Sequence, residues 1–250
     1  MLLFGACGNP VKKESAQNTP EPAPEVETGP EIKPISHATA VLSLGGTILY
    51  LDPVGGGDAF SGHPAPDVIL ITDVHGDHYN RETLEAVAGS ATLIIAPEAV
   101  IAMMPERLAQ QATALGNGAV LPLGELSITA IPMYNLREEA LKFHEKGRGN
   151  GYVLEQDGFR VYVSGDTEDI PEMRALENID VALVCMNLPY TMTVERAADA
   201  VLEFKPSRVF PYHYRGNPEV SDVSRFRALV EAGNPGIEVV QLDWYPGQPY

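Results

Sequence analysis

Four side chains that can bind a metal ion lie within one stretch of six residues: Asp73, His75, Asp77 and His78. Neutral imidazole together with carboxylate suits zinc, manganese or iron better than calcium, which prefers oxygen ligands alone. The adjacent Asp77 and His78 would face opposite sides of a regular strand and so could not easily share one ion. We therefore expect this stretch to be a loop that divides its four groups between two neighbouring ions.

The residues on either side of this loop predict a strand before it and a helix after it. Residues 67–72 form a run of β-branched and aliphatic side chains, which is typical of a strand buried on both faces. Asn80 can cap a helix that begins at Arg81. A strand, a loop and a helix would thus hold the metal-binding groups at the end of the strand.

A fifth candidate ligand, His144, belongs to the long segment 133–150, which has little apolar periodicity. A long segment of this kind inside a compact domain is usually functional. Asn135 and Glu145 are competing candidates within the same segment.

Two further candidates, Asp166 and His213, each follow a predicted strand, where a rigid scaffold can present side chains. Gly165 precedes Asp166 and indicates a close approach of the backbone. The alternative role of Asp166 is to cap the next turn, and that of His213 is to be a hydrogen-bonded core histidine.

The order Asp73-x-His75-x-Asp77-His78 resembles the His-x-His-x-Asp-His signature of the metallo-β-lactamase-fold hydrolases, with Asp73 in place of the first histidine. The resemblance covers residues 37–246. It implies an α/β fold, the four-layer αββα sandwich, with the metal ions at one edge between the two sheets.

The resemblance also implies a ligand set for two divalent metal ions, with zinc preferred and manganese or iron as alternatives. Asp73, His75 and His144 would hold one ion. Asp77, His78 and His213 would hold the other, and Asp166 would bridge the two. Asp77 and Asp166 would be the catalytic residues. An oxygen of Asp73 in place of a nitrogen should weaken the preference of the first position for zinc.

The implied activity is that of a metal-dependent hydrolase. A water shared by two divalent ions loses a proton near neutral pH, and the metal-bound hydroxide attacks an electrophilic carbon or phosphorus. An ester, lactone, amide or phosphodiester bond would suit this chemistry. The segments 149–152, 164–169 and 211–214 resemble L-ascorbate-6-phosphate lactonase and related hydrolases. The alternative function is a noncatalytic or redox metal protein on the same scaffold.

Residues near the predicted strand ends suggest a small-molecule substrate. Arg215 would suit an anionic group on that substrate, and Tyr190, Met192 and Tyr214 are further candidates to line the pocket. Asp52 either orients a ligand histidine or forms a turn. His37 and His63 belong to no motif, so we expect structural or solvent-facing roles for both.

The remaining pattern favours two sheets with helices on their outer faces. Strands at 38–44 and 47–51 flank Gly45-Gly46, a hairpin signal. A helical stretch from 98 to 115 is broken at Pro105. Strands alternate with helices in the later part of each half, and Thr193 can cap a helix that runs to residue 204.

The bulk composition excludes several functional classes. The 250 residues carry a formal net charge of −17, which argues against nucleic-acid binding and against adhesion to anionic lipid through a basic patch. The two cysteines, Cys7 and Cys185, cannot build a disulfide framework or a cysteine zinc site. Cys185 lies in an apolar run and is expected to be buried.

Residues 1–35 and 36–250 are predicted to be different parts of the molecule. The first part is rich in Pro and Glu and poor in aliphatic residues, which predicts a disordered tether. Residues 2–8 resemble the end of a bacterial lipoprotein signal, in which Cys7 would carry the lipid and anchor the protein to a membrane. The expected location is then the cell envelope, lipid-anchored or periplasmic, and otherwise the cytoplasm. Residues 36–250 form the predicted hydrolase domain, which has no apolar run long enough to span a bilayer.

Overall fold

The computed structural model describes residues 1, 2, 5 and 29–246. These residues form a six-stranded and a seven-stranded sheet, each built by one half of the chain. The strands of the first sheet lie in chain order: β1 (Glu31–Ser36), β2 (Thr39–Leu44), β3 (Thr47–Leu51), β4 (Val68–Leu70), β5 (Leu93–Ala96) and β6 (Ala112–Ala114). The second sheet contains β7 (Val120–Leu123), β8 (Leu126–Met133), β9 (Gly149–Gln156), β10 (Phe159–Val163), β11 (Val181–Cys185), β12 (Arg208–Tyr212) and β13 (Glu238–Val239).

Both sheets begin with antiparallel strands and continue with parallel ones. In the first sheet β1, β2 and β3 are antiparallel, and β3 to β6 are parallel. In the second sheet β7 to β10 are antiparallel, and β10 to β13 are parallel. Parallel neighbours need a crossover, and most crossovers carry helices. The helices are α1 (Arg81–Val87), α2 (Glu98–Ile101), α3 (Glu106–Ala109), α4 (Pro171–Arg174), α5 (Val194–Phe204) and α6 (Val223–Gly233).

The alternating side chains of β4 show how the layers are held together. Val68 and Leu70 belong to the core shared with the second sheet, whereas Ile69 pairs with the apolar side chains of α1 to α3 on the other face. Burial on both faces was predicted for this strand and is confirmed. The apolar side of α5, which includes Val201 and Phe204, packs into the core of the second sheet. The predicted four-layer αββα sandwich is therefore confirmed.

Two helix starts follow the predicted capping. The side chain of Asn80 accepts a hydrogen bond from the backbone N–H of Thr83 at 2.8 Å. Thr193 accepts one from the backbone N–H of Arg196 at 3.2 Å. Each cap satisfies a backbone donor that the first helical turn leaves without a partner.

Two predicted boundaries were wrong. Residues 31–36 form strand β1, so the folded domain begins before residue 36. This strand alternates exposed and half-buried residues at the edge of the sheet, and it is ordered by its ladder with β2 rather than by a buried face of its own. The predicted helix 98–115 is two one-turn helices, α2 and α3, and residues 112–114 form strand β6 instead.

Two regions bear on the predicted location. Cys7 and most of the predicted tether lie outside the described residues, so the lipid anchor stays a prediction. Among the residues that the structure describes, none of the helices has the length and apolar character that a bilayer crossing requires. Cys185 is a buried free thiol, as predicted.

Candidate metal centre

The predicted ligands converge at the carboxyl ends of the parallel strands. The loop after β4 carries Asp73 to His78, the loop after β10 carries Asp166, and His213 directly follows β12. His144 comes from the segment between β8 and β9. The two sheets meet here, since the Tyr152 hydroxyl of β9 donates a 2.7 Å hydrogen bond to the carbonyl of Ile71.

Hydrogen bonds connect the segment that carries His144 to the loop that carries Asp166. The buried carboxylate of Glu168 accepts hydrogen bonds from the backbone N–H groups of Leu136 and Arg137, both at 3.0 Å. It also accepts one from the Arg137 guanidinium at 2.7 Å. Backbone at Gly165 has φ +61°, and an added Cβ would lie 2.9 Å from the carbonyl of Asn150. Close approach was predicted at this glycine and is confirmed.

One group of buried donors, which we call the His78 cluster, consists of His78, Asp166 and His213. The Nε2 atoms of His78 and His213 lie 3.1 Å apart. Asp166 Oδ2 is 3.4 Å from His78 Nε2, and Asp166 Oδ1 is 3.2 Å from His213 Nε2. Asp77 approaches from the solvent side, with its Oδ2 3.4 Å from His213 Nε2. Asp77 is 42% exposed, whereas the histidines are fully buried.

These distances suit a shared metal ion. Donors held about 2.0–2.1 Å from a tetrahedral zinc ion lie roughly 3.3 Å from one another. Asp166 Oδ1 is buried and lacks a hydrogen-bond partner in the described part of the chain, although buried polar atoms are normally satisfied. A cation between the two imidazoles and this oxygen would satisfy it. The residues present therefore fit a divalent ion at this position.

His78 is oriented by a carboxylate behind it. Its Nδ1 lies 2.8 Å from Asp52 Oδ2, and Asp52 in turn accepts hydrogen bonds from the backbone N–H and the hydroxyl of Thr72, both at 2.7 Å. Donation from Nδ1 to Asp52 leaves Nε2 to face the cluster. Of the two roles predicted for Asp52, the structure shows the orienting one. Asp52 also has a left-handed φ of +42° at the end of β3.

The ionisation of the His78 cluster reflects its burial and its mixture of charges. Burial disfavours the carboxylate of Asp166, but the neighbouring His213 and His78 outweigh it and hold the pKa of Asp166 well below its ordinary value. Burial lowers the pKa of His213, which favours the neutral imidazole that a metal ion requires. Burial acts in the same direction on His78, yet Asp166 and Asp52 raise its pKa well above the ordinary value.

A second group, the Asp73 cluster, consists of Asp73, His75 and His144. Asp73 Oδ2 is 2.7 Å from His75 Nδ1 and 3.8 Å from His144 Nε2. His144 also reaches the neighbouring cluster, because its Nε2 lies 3.2 Å from Asp166 Oδ2. Asp166 therefore lies between the two groups, and its bridging of two ions stays a prediction.

Asp73 has a further partner, Arg148, which sequence analysis did not single out. The guanidinium donates from Nε to Asp73 Oδ1 at 3.2 Å and from Nη2 to Asp73 Oδ2 at 3.1 Å. Burial opposes ionisation of Asp73, but the hydrogen bond from His75 and the charges around it, Arg148 among them, keep its pKa below the ordinary value. An aspartate at a position where the signature has a histidine would have been the signal to look for a compensating cation.

A cleft opens beside Asp166 of the His78 cluster. One cavity of about 500 Å³ is lined by His37, His75, Asp77, Phe143, Asp166, Asn187, Tyr190, Arg215, Gly216 and Asn217. A second cavity, of about 550 Å³, shares His37, Asp77 and Arg215 with it. The guanidinium of Arg215 lies 4.2 Å from the centre of the Tyr245 ring. Tyr190 and Arg215 thus line the cleft as predicted, whereas Met192 and Tyr214 are buried core residues.

Residues 31–213, most of the chain, match the Beta-lactamase superfamily domain. The chain belongs to the metallo-β-lactamase superfamily. A UPF0173 metal-dependent hydrolase of Archaeoglobus fulgidus is 30% identical over 191 residues, which cover 74% of this chain and 81% of the relative.

Solved structures of the superfamily agree with this assignment. The crystal structure of a proposed metal-dependent hydrolase from Parabacteroides distasonis is 35% identical, has a TM-score of 0.76, and the match covers 86% of this chain and 94% of the other. Igni18, a metallo hydrolase from Ignicoccus hospitalis, is 22% identical with a TM-score of 0.71 and coverage of 85% and 94%, and it supports the fold alone. These relatives are described as metal-dependent hydrolases, which supports the predicted hydrolase function at the level of the superfamily. The narrower resemblance to L-ascorbate-6-phosphate lactonase stays a prediction.

His37 was predicted to have a structural or solvent-facing role, and the structure places it elsewhere. It lies in the turn between β1 and β2 with φ +57°, and its ring centre is 3.9 Å from that of His213. Its Nε2 is 3.3 Å from Asp77 Oδ2, and its Nδ1 lies 2.9 Å from the Tyr245 hydroxyl. His37 is therefore part of the site rather than a structural or solvent-facing residue, and with Asp77 and His213 it forms a third group that could hold a metal ion. His63 belongs to none of the three groups found among the described residues.

The structure also distinguishes His144 from Asn135 and Glu145, the two competing candidate ligands in the same segment. The Asn135 amide donates to the backbone carbonyls of Ala140 and Tyr190, so it holds the loop together. Glu145 is exposed, whereas His144 is only 2% exposed. Of the three, His144 is the one that joins a metal-binding cluster.

Proposed function

We propose that this chain hydrolyses an ester, lactone, amide or phosphodiester bond in a small anionic substrate, with a divalent ion bound at the His78 cluster. The observation that carries the proposal is the convergence of three buried donors, one of which, Asp166, lines an open cleft. Zinc is the preferred ion for two imidazoles and a carboxylate, and manganese and iron are the alternatives.

The chain's own residues divide the work between holding the ion and orienting a water molecule. A divalent ion held there would lower the pKa of a water molecule and polarise the bond to be cleaved. Asp166, buried and ionised, would anchor the ion. Asp77 faces the cleft, and although burial opposes its ionisation, hydrogen bonds from His213 and His37 hold its pKa far below the ordinary value. An ionised Asp77 beside the donors can accept a hydrogen bond from a water molecule and so orient it, whereas so low a pKa makes it a weak proton acceptor.

The chemistry of the cleft supports an anionic substrate. Arg215 lines both cavities beside Asp77, and its guanidinium is a permanent cation that pairs well with carboxylate or phosphate. Asn187 and Asn217 add side-chain amides to the same cavity. A cavity of this size suits a small molecule rather than a macromolecule. A phosphorylated lactone combines an anionic group with a labile bond, and it is the first compound to test.

A hydrolysis screen of metal-loaded protein tests the proposal. Protein stripped with a chelator and reloaded with zinc, manganese or iron is assayed against esters, lactones, amides and phosphodiesters, each as a neutral and an anionic form. We expect turnover of at least one bond class, loss of turnover in His213→Ala, and a selective loss for the anionic form in Arg215→Ala. Tight metal binding without turnover of any class would instead support the noncatalytic alternative.

We also propose that Cys7 carries a lipid that anchors the protein to the cell envelope, on the basis of the pattern at residues 2–8. The full chain should then partition with membranes, and Cys7→Ser should move to the aqueous fraction. Equal partitioning of the two forms would reject the anchor.

A further inference from the structure

The guanidinium of Arg148 contacts Asp73 and His75, two of the three residues to which the superfamily signature assigns the first metal ion. It contacts both oxygens of Asp73, and the same Nη2 lies 3.4 Å from His75 Nε2 and donates to the backbone carbonyl of Phe143. Asp73 and Arg148 are 75 residues apart in the chain. The pair is formed by the fold and bridges the loop after β4 and the segment before β9.

The hydrogen bonds of the Asp73 cluster leave few lone pairs of Asp73 and His75 to bind an ion. Asp73 Oδ1 accepts from Arg148, and Oδ2 accepts from Arg148 and from His75 Nδ1. The other nitrogen of His75 faces Arg148. An ion at this position would need one of the Asp73 oxygens and a nitrogen of His75, so it would have to displace the guanidinium. The His78 cluster differs, since Asp166 Oδ1 has no hydrogen-bond partner among the described residues.

The charges lead to the same conclusion. Asp73 is fully buried, and a buried carboxylate requires a positive partner. In the superfamily signature the first site has only neutral histidines, and the metal ion is its positive charge. Here Arg148 provides the positive charge beside Asp73 permanently, because a guanidinium stays protonated. A divalent ion placed beside this guanidinium would be repelled by it.

We propose that Arg148 replaces the first metal ion, so that the chain binds one divalent ion tightly, at the His78 cluster. This inference rests on the metal binding in the proposed function and departs from the two ions that the signature implies. Arg148 then provides a fixed positive charge beside Asp73, and His144 lies between Asp73 and Asp166 of the His78 cluster. The side chain of Arg148 is 21% exposed.

Metal stoichiometry tests the proposal without any substrate. Metal-free protein is titrated calorimetrically with zinc and with manganese, and the bound metal is counted by elemental analysis after dialysis. We expect one ion per chain in the parent protein, and we expect His213→Ala to lose it. Two ions of comparable affinity in the parent would overturn the proposal, as would one ion that survives His213→Ala but is lost in His75→Ala.

Variants of Arg148 sharpen the test. Arg148→Ala removes the cation and frees Asp73 Oδ1, so this variant should take up a second ion, and its melting temperature should rise with that ion. Arg148→Lys keeps the charge and should stay at one ion. Lys146→Ala, which removes an exposed charge from the same segment, is the matched control and should also stay at one. An Arg148→Ala protein that folds, as judged by circular dichroism, and still binds one ion would contradict the proposal.

A stronger change restores the signature itself. The double variant Asp73→His, Arg148→Ala replaces the ion pair by a neutral ligand and should bind two zinc ions. If either Arg148→Ala or the double variant fails to fold, the stoichiometry of the parent protein decides. Failure of the proposed hydrolase function can be told apart from failure of this inference. A protein that binds one ion but hydrolyses none of the substrates would reject the first and support the second.

Discussion

The His78 cluster and the Asp73 cluster are neighbours built from the same residue types, yet they differ in how their polar atoms are satisfied. In the Asp73 cluster a guanidinium neutralises the carboxylate and occupies its lone pairs. In the His78 cluster two imidazole nitrogens and a carboxylate oxygen face one another, and Asp166 Oδ1 has no hydrogen-bond partner among the described residues. Residue type alone therefore does not define a metal site, because the surrounding hydrogen bonds decide whether lone pairs remain for an ion.

The largest effect should come from removing a ligand of the His78 cluster. His213→Ala deletes one of three buried donors, so the affinity for the tight ion should fall by more than the about 100-fold typical of an orienting residue. The stabilisation that the ion gives to the folded state should disappear with it. Melting curves with and without zinc measure both effects. His63→Ala, a histidine outside the clusters, is the control, and unchanged metal stabilisation in His213→Ala would remove this cluster as the site.

The next effect concerns the residue behind His78. Asp52→Asn keeps the size of the side chain but removes the charge that orients the imidazole, so the affinity for the ion should fall by about 10- to 100-fold. Calorimetric titration measures the change, with Asp58→Asn, an exposed aspartate near the same strand end, as the control. A loss as large as that of His213→Ala would mean that Asp52 does more than orient His78.

A third effect is a pH dependence that belongs to the His78 cluster alone. In the metal-free protein the pKa of His78 is raised, so this side chain must release a proton before it binds an ion. The affinity should then fall by about tenfold for each pH unit below that pKa, because one proton is exchanged. The protonated state stabilises the metal-free fold below the unfolded pKa of about 6.5, and this contribution is lost as the pH rises through the raised pKa.

Titration in buffers of different ionisation enthalpy counts the released protons. We expect about one proton per tight ion from His78, while the ion pair of Asp73 and Arg148 stays fully charged across this range. A release that stays at zero at every pH where His78 is protonated would show that His78 is not a ligand.

The sequence predicted much of this arrangement because its signals were local. The apolar run before Asp73, the cap at Asn80 and the glycine before Asp166 each indicate a structure that is set by neighbouring residues. The Asp73–Arg148 pair and the position of His37 depend on contacts between distant segments, for which no local pattern exists. Strand β1 was missed for a related reason, because it is an edge strand whose order comes from its pairing with β2.

The smallest effect is expected from the Asp73 cluster. His75→Ala removes a residue whose two nitrogens face Asp73 and Arg148 rather than the His78 cluster, so the tight ion should lose less than the roughly tenfold lower limit of an orienting residue. The Arg148–Asp73 pair survives the substitution, since neither of its hydrogen bonds involves His75. Parallel titrations of His75→Ala and His213→Ala measure the ratio of the two effects. An equal loss of metal affinity in His75→Ala and His213→Ala would mean that the two clusters share one pair of tightly coupled ions. The two regions would then differ only in the hydrogen bonds of the metal-free state.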